Sequence, residues 1–358
     1  MPLPVPPTAL RGINVLSLAP NLPGPIAARR LAEMGAKVTK AEGPTGDLMA
    51  QAAPAYYEWL CTGQDVVALN LKEEADRGTL QGLLSSCDVL ITSSRPSALA
   101  RLGLSWDELH AAYPRLCQVA IVGHSGDDAD LAGHDLTYQA HAGTLLPPAM
   151  PTVPVADLAG AELAVQAALA LLLGRNEAEG SAGQGAVSEG AESQVKKRGA
   201  AGGGGYHEVA LADAAEAFAM PAQFGLSAPG GLLGGALPGY RIYEAAPAGG
   251  VEVGVAESEV GEPAAGGAGA GAGESVDGGA EGVEVEGAEA EGAVPTYVAF
   301  AALEPHFMAR AMQLLGVDGT EEQFAAAFQA KTAAEWEAWG IEQDVPIAEV
   351  RGAGRVRN

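Results

Sequence analysis

Residues 13–42 constrain the fold of this chain more than any other stretch. Residues 13–18 (INVLSL) form a short apolar run, and a break follows at Pro20, Pro23, Gly24 and Pro25. Residues 26–34 (IAARRLAEM) then carry helical spacing, with Ile26, Ala27, Arg30, Leu31 and Met34 in register. Gly35 is suited to close that helix, because glycine enters left-handed backbone at no steric cost. VTKAE at 38–42 reads as a second strand. Strand, helix and strand at this spacing open a parallel α/β sheet.

The pattern repeats downstream. VVALNL (66–71), DVLITS (88–93) and LCQVAIVG (116–123) read as further strands, with helices expected at 73–85, 97–102 and 106–112. Residues 158–175 form one long helix, apolar nearly all round, which belongs in a core or an oligomer interface. Its most apolar part, 163–173, is too short to span a bilayer. The N-terminal MPLPVPPTALRG has no apolar signal region, so a cytoplasmic protein with no membrane partner is expected.

Two segments break this order. Residues 176–205 and 247–295 are rich in Gly, Ala, Ser and Glu and cannot bury enough apolar surface to offset their ordering entropy. Both are expected to be flexible inserts. The second separates RIYEA (241–245) from TYVAFAAL (296–303), which read as the two arms of one hairpin. Lengthening a turn costs only about 0.6 kcal/mol per doubling, so a folded protein tolerates such an insert. Between the inserts, 206–240 suggests a helix followed by a Gly-rich loop at Gly230-Gly231 and Gly234-Gly235, either a lid or a plain connector. The expected division is a large α/β domain over 1–175, a small α+β domain from 206–246 and 296–330, and a C-terminal segment at 331–358.

The net charge of −25 argues against a nucleic-acid partner, since binding there requires Lys and Arg to neutralise phosphates. Residues 251–295 hold 11 of the acids and no base, so the rest of the chain is much less acidic. Three cysteines, Cys61, Cys87 and Cys117, lie far apart without metal-ligand spacing, so neither a disulfide framework nor a metal site is expected.

Four places offer chemistry, each beside a plainer reading. The first β-α turn, with Glu42 ending the second strand, invites a dinucleotide site, but G-x-G-x-x-G is absent and only Gly24 is available. In AGHDLTYQAHAG (132–143), His134 and Asp135 are candidates, while the plain reading has Asp135 capping the helix that follows and His134 exposed. In PTVPVADLAGAE (151–162), Asp157 stands where an N-cap for the long helix would. Glu304, in FAALEPHF, is also explained as an acid at the start of a helix.

Together these segments resemble the family III CoA transferases, the superfamily that includes α-methylacyl-CoA racemase, formyl-CoA transferase and the carnitine CoA-transferases. The similarity runs from Leu10 to Asp47, through VALNLK (67–72), DVLITSSRPSALARLGL (88–104) and PRLCQVAIVGHS (114–125), to WEAWGIEQDVPIAEV (336–350). The resemblance implies a Rossmann-like large domain, a smaller domain and an interlocked homodimer. It implies an acyl-CoA substrate, with coenzyme A part of the substrate and no tightly bound cofactor. It assigns Asp157 as nucleophile or acid/base, His134 as a second acid/base and Glu304 as a further active-site acid. Lys40 and Arg95 match basic positions lining the CoA site. Gln64-Asp65 and Gly43 stand where the family commonly carries positive charge, so Arg101, Arg29 and Arg30 are expected to help there.

Two mechanisms suit this set. In racemisation, His134 and Asp157 exchange the proton alpha to the thioester, and backbone N–H groups near Gly133 or Gly160 hold the enolate oxygen. In CoA transfer, Asp157 attacks the thioester carbonyl and CoA leaves an acyl anhydride behind. His134 places racemase-like chemistry first, with CoA transfer as the alternative. Behind them come a non-catalytic binding protein built on the same site and, last, a nicotinamide dehydrogenase.

Overall fold

The computed structural model describes residues 6–180, 203–247 and 295–352. It divides into two compact units, Met1–Phe224 and Gly225–Asn358. The segments 181–202 and 248–294, where most of the two expected inserts fall, lie outside the described residues.

The first unit begins with β1 (Asn14–Ser17), α1 (Pro23–Glu33) and β2 (Lys37–Glu42). The short helices α2 (Leu48–Ala52) and α3 (Pro54–Cys61) lead to β3 (Gln64–Ala68), and α4 (Glu74–Ser85) leads to β4 (Val89–Thr92). Next come α5 (Pro96–Arg101), α6 (Trp106–Ala112) and β5 (Cys117–Val122). Helices α7 (Asp135–Ala142) and α8 (Val155–Gly180) then precede β6 (Tyr206–Ala210) and α9 (Leu211–Gln223). The six strands form one sheet in the order β3-β2-β1-β4-β5-β6, with every pair parallel. This is the doubly wound order that the opening β-α-β unit points to.

Strand alternation builds two cores, one on each face of the sheet. Val15, Val89, Ile91, Val119 and Ile121 face α1 and α8, where they meet Ile26, Leu31, Ala164, Val165 and Ala168. Leu16 and Leu90 point the other way, into a cluster with Leu80, Leu84, Leu99 and Leu109. Burying strands on both faces is why these strands read as continuous apolar runs.

Three expectations need correction. The stretch 163–173 is the middle of a 26-residue helix, and its Val155–Arg175 portion is by length and composition able to cross a membrane. It serves instead as a core helix, because its alanines at 161, 164 and 168 bury against α1 and the sheet. The helix also runs on to Gly180, into the expected insert. Residues 206–223 do not open the small domain. Tyr206–Ala210 adds the sixth strand, pairing in parallel with β5, and α9 follows in the first unit. Its single buried pair, Val209 and Ala210, is too short an apolar run to announce a strand.

The second unit holds β7 (Tyr240–Ala245) and β8 (Thr296–Ala301), α10 (Pro305–Leu315), α11 (Glu321–Phe328), α12 (Ala333–Gln343) and β9 (Ile347–Glu349). β7 and β8 pair antiparallel from Tyr240↔Ala301 to Ala245↔Thr296, as the hairpin reading requires. β9 joins β8, so the described residues 331–352 are part of this unit and not a separate segment. Tyr243, Phe300, Phe324, Phe328 and Trp336 fill its core, and the Trp336 indole N–H donates to the Phe328 carbonyl at 2.8 Å.

Candidate active site

In the first unit the strand order reverses between β1 and β4, the switch point outside whose strand C-terminal ends doubly wound sheets bind their ligands. The loop after β4 carries Arg95, and α5 adds Arg101. Both are exposed, and neither side chain bonds or ion-pairs with any described residue. They are available to an anionic ligand.

Lys40 is not. Its side chain is 1% exposed, and its ammonium donates to Glu42 and, at 2.8 Å, to Asp47. Asp47 in turn accepts from the backbone N–H groups of Asn21 and Met49, and the Tyr57 hydroxyl donates to Glu42 at 2.7 Å. The expectation that Lys40 meets CoA is therefore corrected: two carboxylates already neutralise it, and it anchors the turn after β2. Arg29 lies flat on Trp59 at 3.8 Å and donates to that residue's carbonyl, while Arg30 pairs with Glu162 at 2.9 Å. Both arginines brace α1 and already hold partners within the protein.

The second half of the site is the corner between α7 and α8. Asp135 is the first residue of α7, and its carboxylate reaches across to α8. One oxygen accepts from the backbone N–H groups of Ala156 and Asp157, at 2.8 and 3.1 Å. The other accepts from the Gln139 amide at 2.6 Å, and that amide also donates to the Val153 carbonyl at 3.1 Å. Asp135 thus caps the N-terminus of α8 rather than that of its own helix. The exposed His134 takes the capping position of α7, with its backbone N–H donating to Thr137.

This arrangement changes the reading of Asp157. It is the third residue of α8, not its cap, since Asp135 satisfies the leading N–H groups in its place. The Asp157 side chain makes no hydrogen bond with any described residue. Burial, reinforced by the Asp135 charge, raises its carboxyl from the ordinary 3.8 to about 7. The helix N-terminus favours the ionised form, but here burial and the neighbouring carboxylate outweigh it.

Gly160 is the sixth residue of α8, so its N–H lies in the helix ladder and is not a donor for a bound oxygen. Glycine there has a packing reason, because a Cβ would lie 2.3 Å from Leu211. Gly133 differs: its N–H makes no bond within the described residues, and it sits directly before His134. Tyr138, on α7, was not among the expected residues. It lies four residues after His134, and that helical spacing was the signal available for it. Burial and then the Asp157 charge raise its phenol.

Glu304 belongs to the second unit, where it is the exposed N-cap residue of α10 ahead of Pro305, with no side-chain cap bond. Among the described residues, no cluster of His, Cys, Asp and Glu could hold a metal ion.

The family model described as CoA-transferase family III matches residues 10–194. The chain is 34% identical over 139 residues to cinnamoyl-CoA:phenyllactate CoA-transferase of Clostridium sporogenes, covering 35% of this chain and 34% of that one. It is 30% identical over 196 residues to succinyl-CoA–D-citramalate CoA-transferase of Chloroflexus aurantiacus, covering 51% and 48%. The matched part thus spans between about a third and a half of these relatives. Among solved structures, a CAIB/BAIF family protein from Brucella suis superposes with a TM-score of 0.65 at 18% identity, over 96% of this chain and 84% of that one. A likeness at that identity speaks to the fold alone.

Proposed function

The chain belongs to CoA-transferase family III, and from that premise we propose that it moves coenzyme A between carboxylic acids with Asp157 as the nucleophile. The observation that carries this reading is the state of Asp157. Its carboxylate is half-buried, has no hydrogen-bond partner among the described residues, and is held by its backbone through Asp135. A carboxylate relieved of water and partners is a stronger nucleophile than a solvated one. Its attack on a thioester carbonyl expels CoA thiolate and leaves an acyl anhydride on Asp157. Arg95 and Arg101 supply the positive charge for the CoA phosphates, and the interlocked homodimer implied by the resemblance is part of the same reading.

The test is a panel of CoA esters, including the cinnamoyl and succinyl esters that the relatives' names specify, each paired with labelled acceptor acids. Transfer accompanied by an acyl mass on the Asp157 peptide is expected. Turnover that leaves Asp157 unlabelled under rapid quench defeats the nucleophile reading. Binding of no ester by calorimetry favours a non-catalytic protein.

A second reading keeps a specific observation in its favour. A carboxyl near pH 7 suits proton transfer at neutral pH, and His134 adjoins the residue that holds Asp157. Racemase-like chemistry would show as deuterium entering the alpha position of a 2-methylacyl-CoA, lost in His134→Ala. Under the transferase reading, His134→Ala keeps transfer within about threefold, since that route uses no histidine.

A further inference from the structure

Tyr138 is the buried polar group that the α7–α8 corner leaves unused. It is 2% exposed, and its ring stands edge-on to His124 at 5.4 Å between centroids. Its hydroxyl hydrogen-bonds to none of the described residues. Two glycines make room for it. A Cβ at Gly123 would lie 2.5 Å from the hydroxyl oxygen, and a Cβ at Gly133 would lie 2.4 Å from it. Gly123 directly follows β5, and Gly133 directly precedes His134. The hydroxyl therefore lies against bare glycine backbone at both Gly123 and Gly133, where no side chain could fit. Tyr138 also packs in one cluster with Ala156, the residue before Asp157. With no partner among the described residues, the hydroxyl is free to donate to a ligand atom at the corner that carries Asp157.

We propose that the Tyr138 hydroxyl donates a hydrogen bond to the carbonyl oxygen of the acyl group that Asp157 attacks, making it a catalytic residue of the transfer. This rests on the reading of Asp157 as nucleophile. As an Asp157 oxygen bonds to the carbonyl carbon, an electron pair moves onto the carbonyl oxygen. It returns when the C–S bond breaks and CoA leaves as thiolate, and the phenol keeps its proton throughout. Burial and the Asp157 charge hold that proton on the phenol. The donor acts on charge that develops only in the tetrahedral species, so it affects kcat more than KM.

The test uses the full chain with whichever ester of the panel the wild type turns over fastest. Tyr138→Phe removes the hydroxyl and keeps the ring. It is expected to lower kcat by about 10²-fold while KM stays within about twofold. Asp157→Asn, run alongside, is expected to transfer nothing. Wild-type kcat in Tyr138→Phe beside an inactive Asp157→Asn overturns the donor role alone. Transfer that survives in Asp157→Asn overturns the underlying reading. Should Tyr138→Phe fold poorly, 3-fluorotyrosine at position 138 decides: its fluorine resonance should shift on adding the ester, and an unmoved resonance overturns the proposal.

Discussion

Asp157 carries a charge that its surroundings oppose, and this has a consequence for stability. A carboxyl raised from 3.8 to about 7 means that the folded state prefers the protonated form. The stabilisation from that preference is complete below about pH 4 and is lost as pH rises through 7. Asp157→Asn cannot ionise, so it should melt with the wild type near pH 4 and be more stable by about 1–3 kcal/mol at pH 8. Equal melting at pH 8 would show that the group is well solvated. Asp135 acts on the same residue in two ways, as a cap and as a charge. Asp135→Ala should cost about 1–2 kcal/mol by exposing the N–H groups of Ala156 and Asp157. Asp135→Asn keeps an acceptor oxygen but removes the charge, so the acid limb of the transfer rate should move to lower pH with less loss of stability. His134, Asp135 and Asp157 were all legible as candidates. Which of them caps which helix was not, because the Asp135–Asp157 bond joins residues 22 apart in the chain.

At the level of elements, the regular strands and helices followed from apolar periodicity, and β6 did not. β6 depends on a neighbour: Gly203-Gly204-Gly205 carries the chain past Leu116, and the strand then pairs with β5. Glycine at 204 is required there, since a Cβ would lie 1.9 Å from the Leu116 carbonyl oxygen, a backbone atom with little freedom to move. Gly204→Ala should cost about 2–3 kcal/mol and lower the melting temperature; an unchanged melt would mean that this edge is not integral to the sheet. In the second unit, Phe324 is fully buried against Tyr243, Phe300 and Phe328. Phe324→Ala should cost about 3–5 kcal/mol in that unit. The helix α8 shows the limit of composition at this scale. The same apolar length fits a membrane or a core, and only its packing against α1 and the sheet identifies it as a core helix.

For the whole molecule, the net charge of −25 opposes an anionic substrate. Lys40, Arg29 and Arg30 are committed to internal partners, which leaves Arg95 and Arg101, exposed after β4, as the cations identified at the switch point. Salt should therefore screen a repulsion before it screens an attraction. Raising NaCl from about 20 to about 150 mM is expected to increase kcat/KM for an acyl-CoA modestly, the reverse of a steered enzyme. A fall over that range would show that the local field where the substrate binds is positive.

The sequence by itself determined the parallel α/β sheet, the hairpin and the family, because strand and helix periodicity and motif order are local properties that survive without coordinates. It also named Asp157 and His134, since an acid before an apolar helix and a histidine at a helix entry are visible in a line of residues. Tertiary structure decided what those residues do to one another. It buried Lys40 between two carboxylates, moved the cap of α8 onto Asp135, set Asp157 near pH 7 and brought the Tyr138 hydroxyl between Gly123 and Gly133. Burial and contact between distant segments set the charge state and reach of a side chain, and neither is written in its neighbours along the chain.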